Sequence, residues 1–589
     1  MTRLELLQKA TNKREFAKLL KFNISFLTRT LYVKPIETQY EQFQITKRSG
    51  GQRTINAPKP ELKDIQSRLS ELLLDCIDVI NEGKNLEPSL SHGFTRNRSI
   101  ITNAEKHINQ KNVLNIDLSD FFDSFNFGRV RGFFLKNKNF LLHDDIATVI
   151  AKIACLNDSL PQGSPCSPVI TNLITHSLDV RLASLARRWS CIYSRYADDI
   201  TFSTRKKLFV PKLVRIEGTN IVVGKRLREE IERSGFEINE KKTRVQLNDS
   251  RQDVTGLVVN EKVNIKSEYW RETRAMCHNL FTTGTYTKNT TTGKEEGSIS
   301  ELEGRLNFID SVDRYNHMRP KGADDHRYQT RDVGLDYKKR LNVREKYFSK
   351  FMYYRSFIDS EKPTILCEGK TDNVYLKSAI NRLANQYPLL ACEKNKDSHY
   401  ELLVDFYNYS KRTRFLLDLF GGGHYLKKFV QRYDDNLQYY KKKLPKNPVI
   451  LVLDNDSGPN ALIKDLEKRS LLYPKLQNTK EEIRDAEFVH ICSNLYLILT
   501  PRSNGNSTMM ENFFDQPTLS RLVDGRKFDP DKDADSITTY GKNTFSIKVV
   551  KEDKSNISFD NFKSILDRIV GVIQYHKKLS DSELDTAQK

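Results

Sequence analysis

Two adjacent aspartates, Asp198 and Asp199, lie between two β-prone segments in residues 193–202. Tyr, Ile, Thr and Phe favour strands, so the run predicts a hairpin with acid at its tip. An Asp-Asp pair taken alone usually marks a solvated turn. A third carboxylate, Asp117, follows an apolar strand-like run upstream. Three such acids could bind two divalent ions about 4 Å apart, one activating a hydroxyl and one stabilising a leaving oxygen, which is nucleotidyl-transfer chemistry.

Two other segments offer side chains that could hold a substrate. Residues 160–168, LPQGSPCSP, predict a rigid turn that sets its backbone and Gln162 against a base pair, although the same pattern fits the simple start of a helix. Residues 47–55 predict a hairpin with a glycine turn and flanking cations, suited to a triphosphate, with Arg53 as the preferred contact. A surface hairpin with incidental charge is the alternative.

The Asp117 strand, the 160–168 turn and the Tyr-Ala-Asp-Asp hairpin stand in the order found in reverse transcriptases, and the chain resembles the palm of that family. Asn-Ala-Glu-Lys-His at 103–107 and Val-Thr-Gly at 254–256 resemble the retron branch. The resemblance covers about residues 10–315. It implies an RNA-directed DNA polymerase, a nucleotidyltransferase, with Asp117, Asp198 and Asp199 as the catalytic Mg²⁺ ligands.

The resemblance also implies roles for two further residues and a set of partners. Phe122 stands where the family excludes a ribose 2′-hydroxyl, which favours dNTPs, and Lys242 stands where a lysine neutralises or protonates the leaving pyrophosphate. A retron enzyme copies a dedicated structured RNA, begins at an internal 2′-hydroxyl and leaves a branched RNA–DNA product. Alternatives are a non-retron bacterial or group II intron-like reverse transcriptase, or an RNA-binding scaffold with an inactive polymerase.

A second constellation of acids lies in the C-terminal half. Glu368 ends one buried-type strand, and Asp454 and Asp456 end another. Sites in open α/β sheets collect at the carboxyl ends of strands, so these three acids could share one metal site. The two motifs resemble a TOPRIM module, which implies Mg²⁺, with Glu368 as a ligand or general base. Glu511, in a run that resembles the later acidic segment of nuclease-type TOPRIM domains, is a further candidate ligand or merely part of a helix start.

Length and charge agree with two nucleic-acid-directed modules. The chain has 589 residues, too many for one compact core, and carries 96 Lys and Arg against 76 Asp and Glu. The formal charge of +20 favours a polyanionic partner over solubility alone. No signal-peptide pattern or apolar run of about 18 residues is present, so we expect a cytoplasmic protein.

These patterns predict a multidomain α+β and α/β protein: a right-hand fingers-palm-thumb polymerase followed by a TOPRIM Rossmann-like domain. The expected boundaries are 1–262 for fingers and palm, 263–318 for the thumb, 319–360 for a charged linker, and 361–589 for the TOPRIM domain with a C-terminal helical extension. Retron resemblance implies antiphage defence, with the TOPRIM module as a nuclease effector. Its target would be DNA or RNA, and a homo-oligomer is possible. Topoisomerase and primase activities are weaker alternatives.

Overall fold

The computed structural model describes residues 1–46, 50–82, 90–218, 220–290, 293–318, 341–395, 399–441, 445–473, 479–531 and 535–587. The chain divides into two compact units, Met1–Ser267 and Glu268–Lys589. Within the described ranges, no helix combines the length and the apolar character needed to cross a membrane.

The first unit combines nine α-helices with small antiparallel sheets. Its helices are α1 (Arg3–Lys9), α2 (Lys13–Leu19), α3 (Ile24–Thr28), α4 (Pro60–Glu82), α5 (Ile100–Glu105), α6 (Phe127–Lys136), α7 (Asp144–Ala154), α8 (Ser167–Arg188) and α9 (Lys225–Glu232), as counted over the described residues. Its strands are β1 (Tyr40–Thr46), β2 (Gln52–Pro58), β3 (Asn112–Ser119), β4 (Ile192–Tyr196), β5 (Asp199–Thr204), β6 (Val214–Glu217), β7 (Asn220–Val223), β8 (Glu237–Leu247), β9 (Asp253–Val254) and β10 (Leu257–Val258).

A four-stranded antiparallel sheet with the order β4-β5-β3-β8 lies at the centre of this unit. Seven of the eight residues of β3 are buried, as expected for a strand that is covered on both faces. The registers place Asp117 of β3 directly opposite Asp199 of β5. The sheet therefore positions the first acid against the hairpin that carries the other two.

The predicted basic hairpin is formed by β1 and β2, which pair from Tyr40 opposite Pro58 to Thr46 opposite Gln52. Gly50 and Gly51 both have φ near +80°, a conformation that a side chain disfavours. Residues 47–49 of the predicted hairpin lie outside the described residues.

The second unit contains a larger, mostly parallel sheet surrounded by helices. Its helices are α10 (Ser267–Thr283), α11 (Ile299–Met318), α12 (Val343–Tyr353), α13 (Lys370–Arg382), α14 (Lys411–Leu417), α15 (Gly423–Gln431), α16 (Tyr433–Leu437), α17 (Asn460–Leu466), α18 (Lys480–Asp485), α19 (Gln516–Leu519), α20 (Lys542–Thr544) and α21 (Lys563–Ala587). Its strands are β11 (Thr287–Thr290), β12 (Gly293–Glu296), β13 (Thr364–Cys367), β14 (Ala391–Asn395), β15 (His399–Leu402), β16 (Asp405–Phe406), β17 (Val449–Leu453), β18 (Val489–Cys492), β19 (Leu495–Leu499), β20 (Lys527–Phe528) and β21 (Thr539–Tyr540).

The main sheet of this unit has the order β16-β13-β17-β19-β18, and β18 alone of these strands runs antiparallel to its neighbour. All residues of β13, β17 and β19 are buried. Continuous apolar runs of this kind are typical of parallel strands with helices on both faces. The carboxyl ends of β13 and β17 are neighbours, which brings the acids that follow them to one edge of the sheet.

Part of the expected linker is packed structure. Residues 319–340 of the expected 319–360 linker lie outside the described residues, whereas α12 and the π-helical turn Tyr354–Ile358 are well ordered elements of the second unit. Their aromatic side chains share one hydrophobic core with Phe281 of α10 and with Tyr440. The charged composition of the segment predicts a linker, but its aromatic side chains are buried, so α12 is part of the second unit.

We expect Phe281→Ala to destabilise the second unit by about 3–5 kcal/mol, because it removes a buried ring that contacts Tyr354, Tyr439 and Tyr440. Urea unfolding followed by the fluorescence of Trp270 in a Trp189→Phe background measures the effect. His278→Ala, an exposed change on the same helix, is the matched control. Equal unfolding midpoints for the two variants would contradict the shared core.

Candidate active sites at two clusters of carboxylates

The first cluster is built by the tip of the β4–β5 hairpin and by β3. Ala197 has φ +56°, and the turn at Ala197 and Asp198 connects the two strands. The backbone N–H of Leu118 donates to the carbonyl of Asp198 at 3.1 Å, which fixes the turn against β3. The structure thus brings together the three predicted acids, Asp117, Asp198 and Asp199.

A buried arginine bonds to the hairpin turn and connects it to α8. Arg195 is fully buried and donates through Nε and Nη2 to the two carboxylate oxygens of Asp179 on α8, at 2.7 and 2.8 Å. Its Nη1 donates to the carbonyl of Ala197 at 2.8 Å. On the other side, a Cβ at Gly93 would lie 2.7 Å from the nitrogen of Ala197, so position 93 accommodates glycine alone without a shift. The turn is therefore fixed from two directions.

The retron-like 103–107 motif ties the two strands of the hairpin together. His107 is fully buried, and its ring nitrogens lie 2.7 Å from the hydroxyls of Ser203 on β5 and Ser194 on β4. Ser194 donates its proton to Asn103 at 2.7 Å, so His107 Nε2 is the donor to Ser194. Burial lowers the pKa of His107 to about 3, which keeps the ring neutral. The motif therefore acts by holding the hairpin, a role that the sequence alone did not indicate.

Burial raises the proton affinity of the two hairpin acids, Asp198 and Asp199. Burial, with a smaller contribution from Asp117, raises the pKa of Asp198. Asp199 is exposed at its outer edge, yet the protein around its carboxyl and the charges of Asp198 and Asp117 raise its pKa to about 7. Lys242 Nζ lies 3.0 Å from both carboxylate oxygens of Asp117. The predicted phosphate contact Lys242 therefore stands directly at the acids.

The other predicted substrate contacts lie in the same unit as this cluster. Arg53 is exposed on β2 and is near enough to lower the proton affinity of Asp198. Phe122 is half-buried and packs edge-on against Phe121. The carbonyl of Gln162 accepts from the backbone N–H of Asn56 at 2.9 Å, which joins the proline-rich turn to β2.

The second cluster lies at the carboxyl ends of β13 and β17. A Cβ at Gly458 would lie 3.0 Å from Asp456 Oδ1 and 3.1 Å from Glu368 Oε1, so these two carboxylates flank the same point. The N–H of Gly458 donates to Asp456 Oδ1 at 2.7 Å. Asp454 Oδ1 accepts from the N–H of Met510 at 2.8 Å. The residue after Met510 is Glu511, which is buried beside Lys542 Nζ at 3.2 Å.

Two residues that sequence reasoning did not single out belong to this cluster. Asp372 is buried in the first turn of α13, where it accepts from the N–H of Gly369 at 2.8 Å. The Gly369–Asp372 spacing is a helix-capping signal and could have identified it. Lys542 contributes the nearby positive charge, but it is distant in sequence and no local pattern marks it.

Comparison with known proteins identifies the N-terminal half. Residues 45–265 match the family described as "Reverse transcriptase (RNA-dependent DNA polymerase)". The Retron Ec86 reverse transcriptase of Escherichia coli is 34% identical over 299 residues, which cover 50% of this chain and 83% of that protein. The chain belongs to the retron reverse transcriptases.

Other similarities are more partial. The Retron Mx162 reverse transcriptase of Myxococcus xanthus is 33% identical over 324 residues, and the match spans 63% of that protein and 50% of this chain. Among solved structures, telomerase from Candida albicans in complex with a fragment of telomeric RNA aligns over 54% of this chain and 62% of its own, with 12% identity and a TM-score of 0.29, too low to support a conclusion. The second cluster lies outside the region that the family match covers.

In this retron reverse transcriptase, two carboxyl groups of the second cluster have raised pKa values, so a bound proton or a cation stabilises them. Burial, together with Asp456 and Asp372, raises the pKa of Glu368 to about 7. Burial, together with Asp372 and Glu511, raises the pKa of Asp454 to about 8. Over the described part of the chain, no three acidic, imidazole or thiol groups form a ready-made metal centre. The fit to Mg²⁺ rests on the donor set, because both clusters offer the hard carboxylate oxygens that this ion prefers.

We expect the second unit to lose stability as pH rises in EDTA. An acid whose folded pKa lies above its unfolded value stabilises the fold below the unfolded value, and this contribution is lost as pH rises through the folded value. For Asp454 the loss extends from about pH 4 to about pH 8. The unfolding midpoint, measured between about pH 6 and about pH 9, should fall less in Asp454→Asn than in the unaltered protein. Mg²⁺ should reverse the fall, and identical pH profiles would contradict this description.

Proposed function

We propose that the N-terminal unit is an RNA-directed DNA polymerase. The observation that carries this proposal is the convergence of Asp117, Asp198 and Asp199 on a rigid hairpin and its neighbouring strand. The family membership and the excess of positive charge support it, because the substrate is a polyanion. An RNA-binding scaffold would have no need for a hairpin that is fixed to this degree.

The residues around the acids have separable roles in this reaction. The three carboxylates would hold two Mg²⁺ ions, which supply activation of the primer hydroxyl and stabilisation of the leaving oxygen. Lys242 moves from Asp117 to the phosphates or shares its charge between them, and Arg53 approaches from the β1–β2 hairpin. Phe122 limits the space for a 2′-hydroxyl, which selects dNTPs. The proline-rich turn at Gln162 sets the position of the base pair through its bond to β2.

The template and primer would be a dedicated structured RNA. The relatives are named retron reverse transcriptases, and the 103–107 motif and the Val-Thr-Gly segment of this chain resemble that branch. DNA synthesis then begins at an internal 2′-hydroxyl and yields a branched RNA–DNA molecule. A group II intron-like enzyme is the second candidate, and it would yield unbranched, heterogeneous DNA.

We expect Asp198→Asn to reduce DNA synthesis by about a thousandfold or more, because loss of a metal ligand forfeits several kcal/mol of transition-state stabilisation. Primer extension with Mg²⁺ and the cognate RNA measures the effect. Asp249→Asn, an exposed change in the same unit, is the matched control. Binding of the RNA should persist in both variants. Undiminished synthesis by Asp198→Asn would contradict the assignment.

For the second unit we propose a TOPRIM-type, Mg²⁺-dependent nuclease that acts as an effector in antiphage defence. Support comes from the parallel sheet and from the meeting of Glu368, Asp454, Asp456 and Glu511 at its carboxyl edge. Glu368, with a pKa of about 7, is suited to act as a general base or ligand at neutral pH. The branched RNA–DNA made by the first unit would restrain the nuclease until an infecting phage disturbs it.

We expect Asp454→Asn to abolish protection of cells against phage while the branched RNA–DNA still accumulates. Plaque counts and extraction of the nucleic acid from cells that express the cognate RNA measure the two effects. Asp435→Asn, an exposed change in the same unit, should keep both properties. Asp117→Ala should remove the branched product itself. Protection by a folded Asp454→Asn protein would show that this acid cluster is not the effector site.

A further inference from the structure

A cavity that neither acid cluster uses lies in the first unit, among α6, α8, α9 and the segment that follows α9. Its volume is about 400 Å³, within the range of small-molecule sites. Phe133, Ile174, Leu178 and Phe236 form its apolar part, whereas three arginines and several hydroxyl side chains form its polar part. None of the proposed catalytic aspartates lines it.

The arginines give this cavity an excess of positive charge. Arg129 lies between the rings of Phe125 and Phe236, at 4.7 and 4.5 Å, and donates to backbone carbonyls, but among the described residues no carboxylate pairs with it. Burial lowers the pKa of Arg129, because removal from water disfavours the charged form. Such a group is stabilised by a nearby anion.

The two other arginines at the cavity differ in their partners. Arg181 bonds to Glu230, which also pairs with Arg226. Arg233 is exposed, and within the described ranges its side chain has no ion-pair or hydrogen-bond partner. The cavity therefore offers at least two positive charges to a ligand.

A buried hydroxyl in the wall also lacks a partner. Thr175 of α8 is 1% exposed, lines the cavity, and its Oγ1 makes no hydrogen bond with any described residue. A buried hydroxyl without a partner costs about 1–3 kcal/mol. This cost is removed if a ligand in the cavity donates to or accepts from Thr175.

We propose that this cavity is a binding site for one nucleotide, with the phosphate at Arg181 and Arg233 and the base against Phe133 and Ile174. The cavity is too large for a single inorganic anion, and the half-buried ring of Phe133 gives a base an aromatic contact that phosphate alone cannot use. Thr175 is placed among these groups to bond to a polar edge of the ligand. The nucleotide is either free in solution or an unpaired residue of a bound RNA.

Calorimetric titrations of the full-length protein in EDTA test the proposal, because EDTA removes metal-dependent binding at the acid clusters. The probes are inorganic phosphate, adenosine, the four nucleoside monophosphates and a short single-stranded RNA. The variants are Arg233→Gln and Thr175→Val, and Arg188→Gln on α8 is the control with the same charge change away from the cavity. Thr175→Val should melt no lower than the unaltered protein, which excludes misfolding.

We expect the Kd of the bound nucleotide to rise about tenfold or more in Arg233→Gln and in Thr175→Val, and to stay unchanged in Arg188→Gln. Monophosphates that bind as tightly as the RNA identify a free nucleotide, whereas binding of the RNA alone identifies a nucleotide within a chain. Both results support the site. Binding of none of the probes, tighter binding of phosphate than of every nucleotide, or equal Kd values in all three variants would overturn it.

Discussion

The buried ion pair between Arg195 and Asp179 is the constraint on which the polymerase site depends. A fully desolvated guanidinium is costly unless its geometry is good and its remaining protons are bonded. Here both carboxylate oxygens of Asp179 are used, and Tyr193 donates to the same carboxylate. A further bond, to the carbonyl of Ala197, connects the pair to the catalytic turn. Loss of either partner would leave an uncompensated buried charge, at a cost of about 3–5 kcal/mol, directly beneath the acids.

Both acid clusters hold several carboxylates close together, and in both a lysine lies beside the acids. Burial, together with the charges of the neighbouring carboxylates, raises the pKa of Asp199 to about 7 and that of Asp454 to about 8. Each cluster also contains a lysine that pairs with one of its acids: Lys242 with Asp117, and Lys542 with Glu511. A lysine paired with one acid does not neutralise the others, so each cluster retains an electrostatic preference for divalent cations.

Sequence reasoning succeeded where the signal is local and failed where it depends on packing. The hairpin at 193–204 and the strands that end at Glu368 and Asp454 follow from β-propensity and from acids at strand ends, and the structure has all three. Lys542 reaches its cluster only through tertiary packing, and the cavity at Thr175 is formed by two helices together with the segment after α9. The burial of the aromatic residues of 343–358 was not predicted, because the composition of a segment does not reveal which of its side chains pack into a domain core.

The packing of the second unit links its first two helices to the second acid cluster. Helices α10 and α11, which lie in the segment expected to form the thumb, share a core with the helices around the second sheet. Arg412 Nη2 on α14 lies 2.7 Å from Asp310 of α11, and the glycine loop after α14 approaches Glu368, whose carbonyl accepts from the N–H of Gly422 at 3.0 Å. Close-packed interiors do not deform independently, so a displacement of α11 must either carry this loop with it or expose aromatic surface. The positions of α11 and of the loop beside Glu368 are therefore coupled through packed side chains of the second unit.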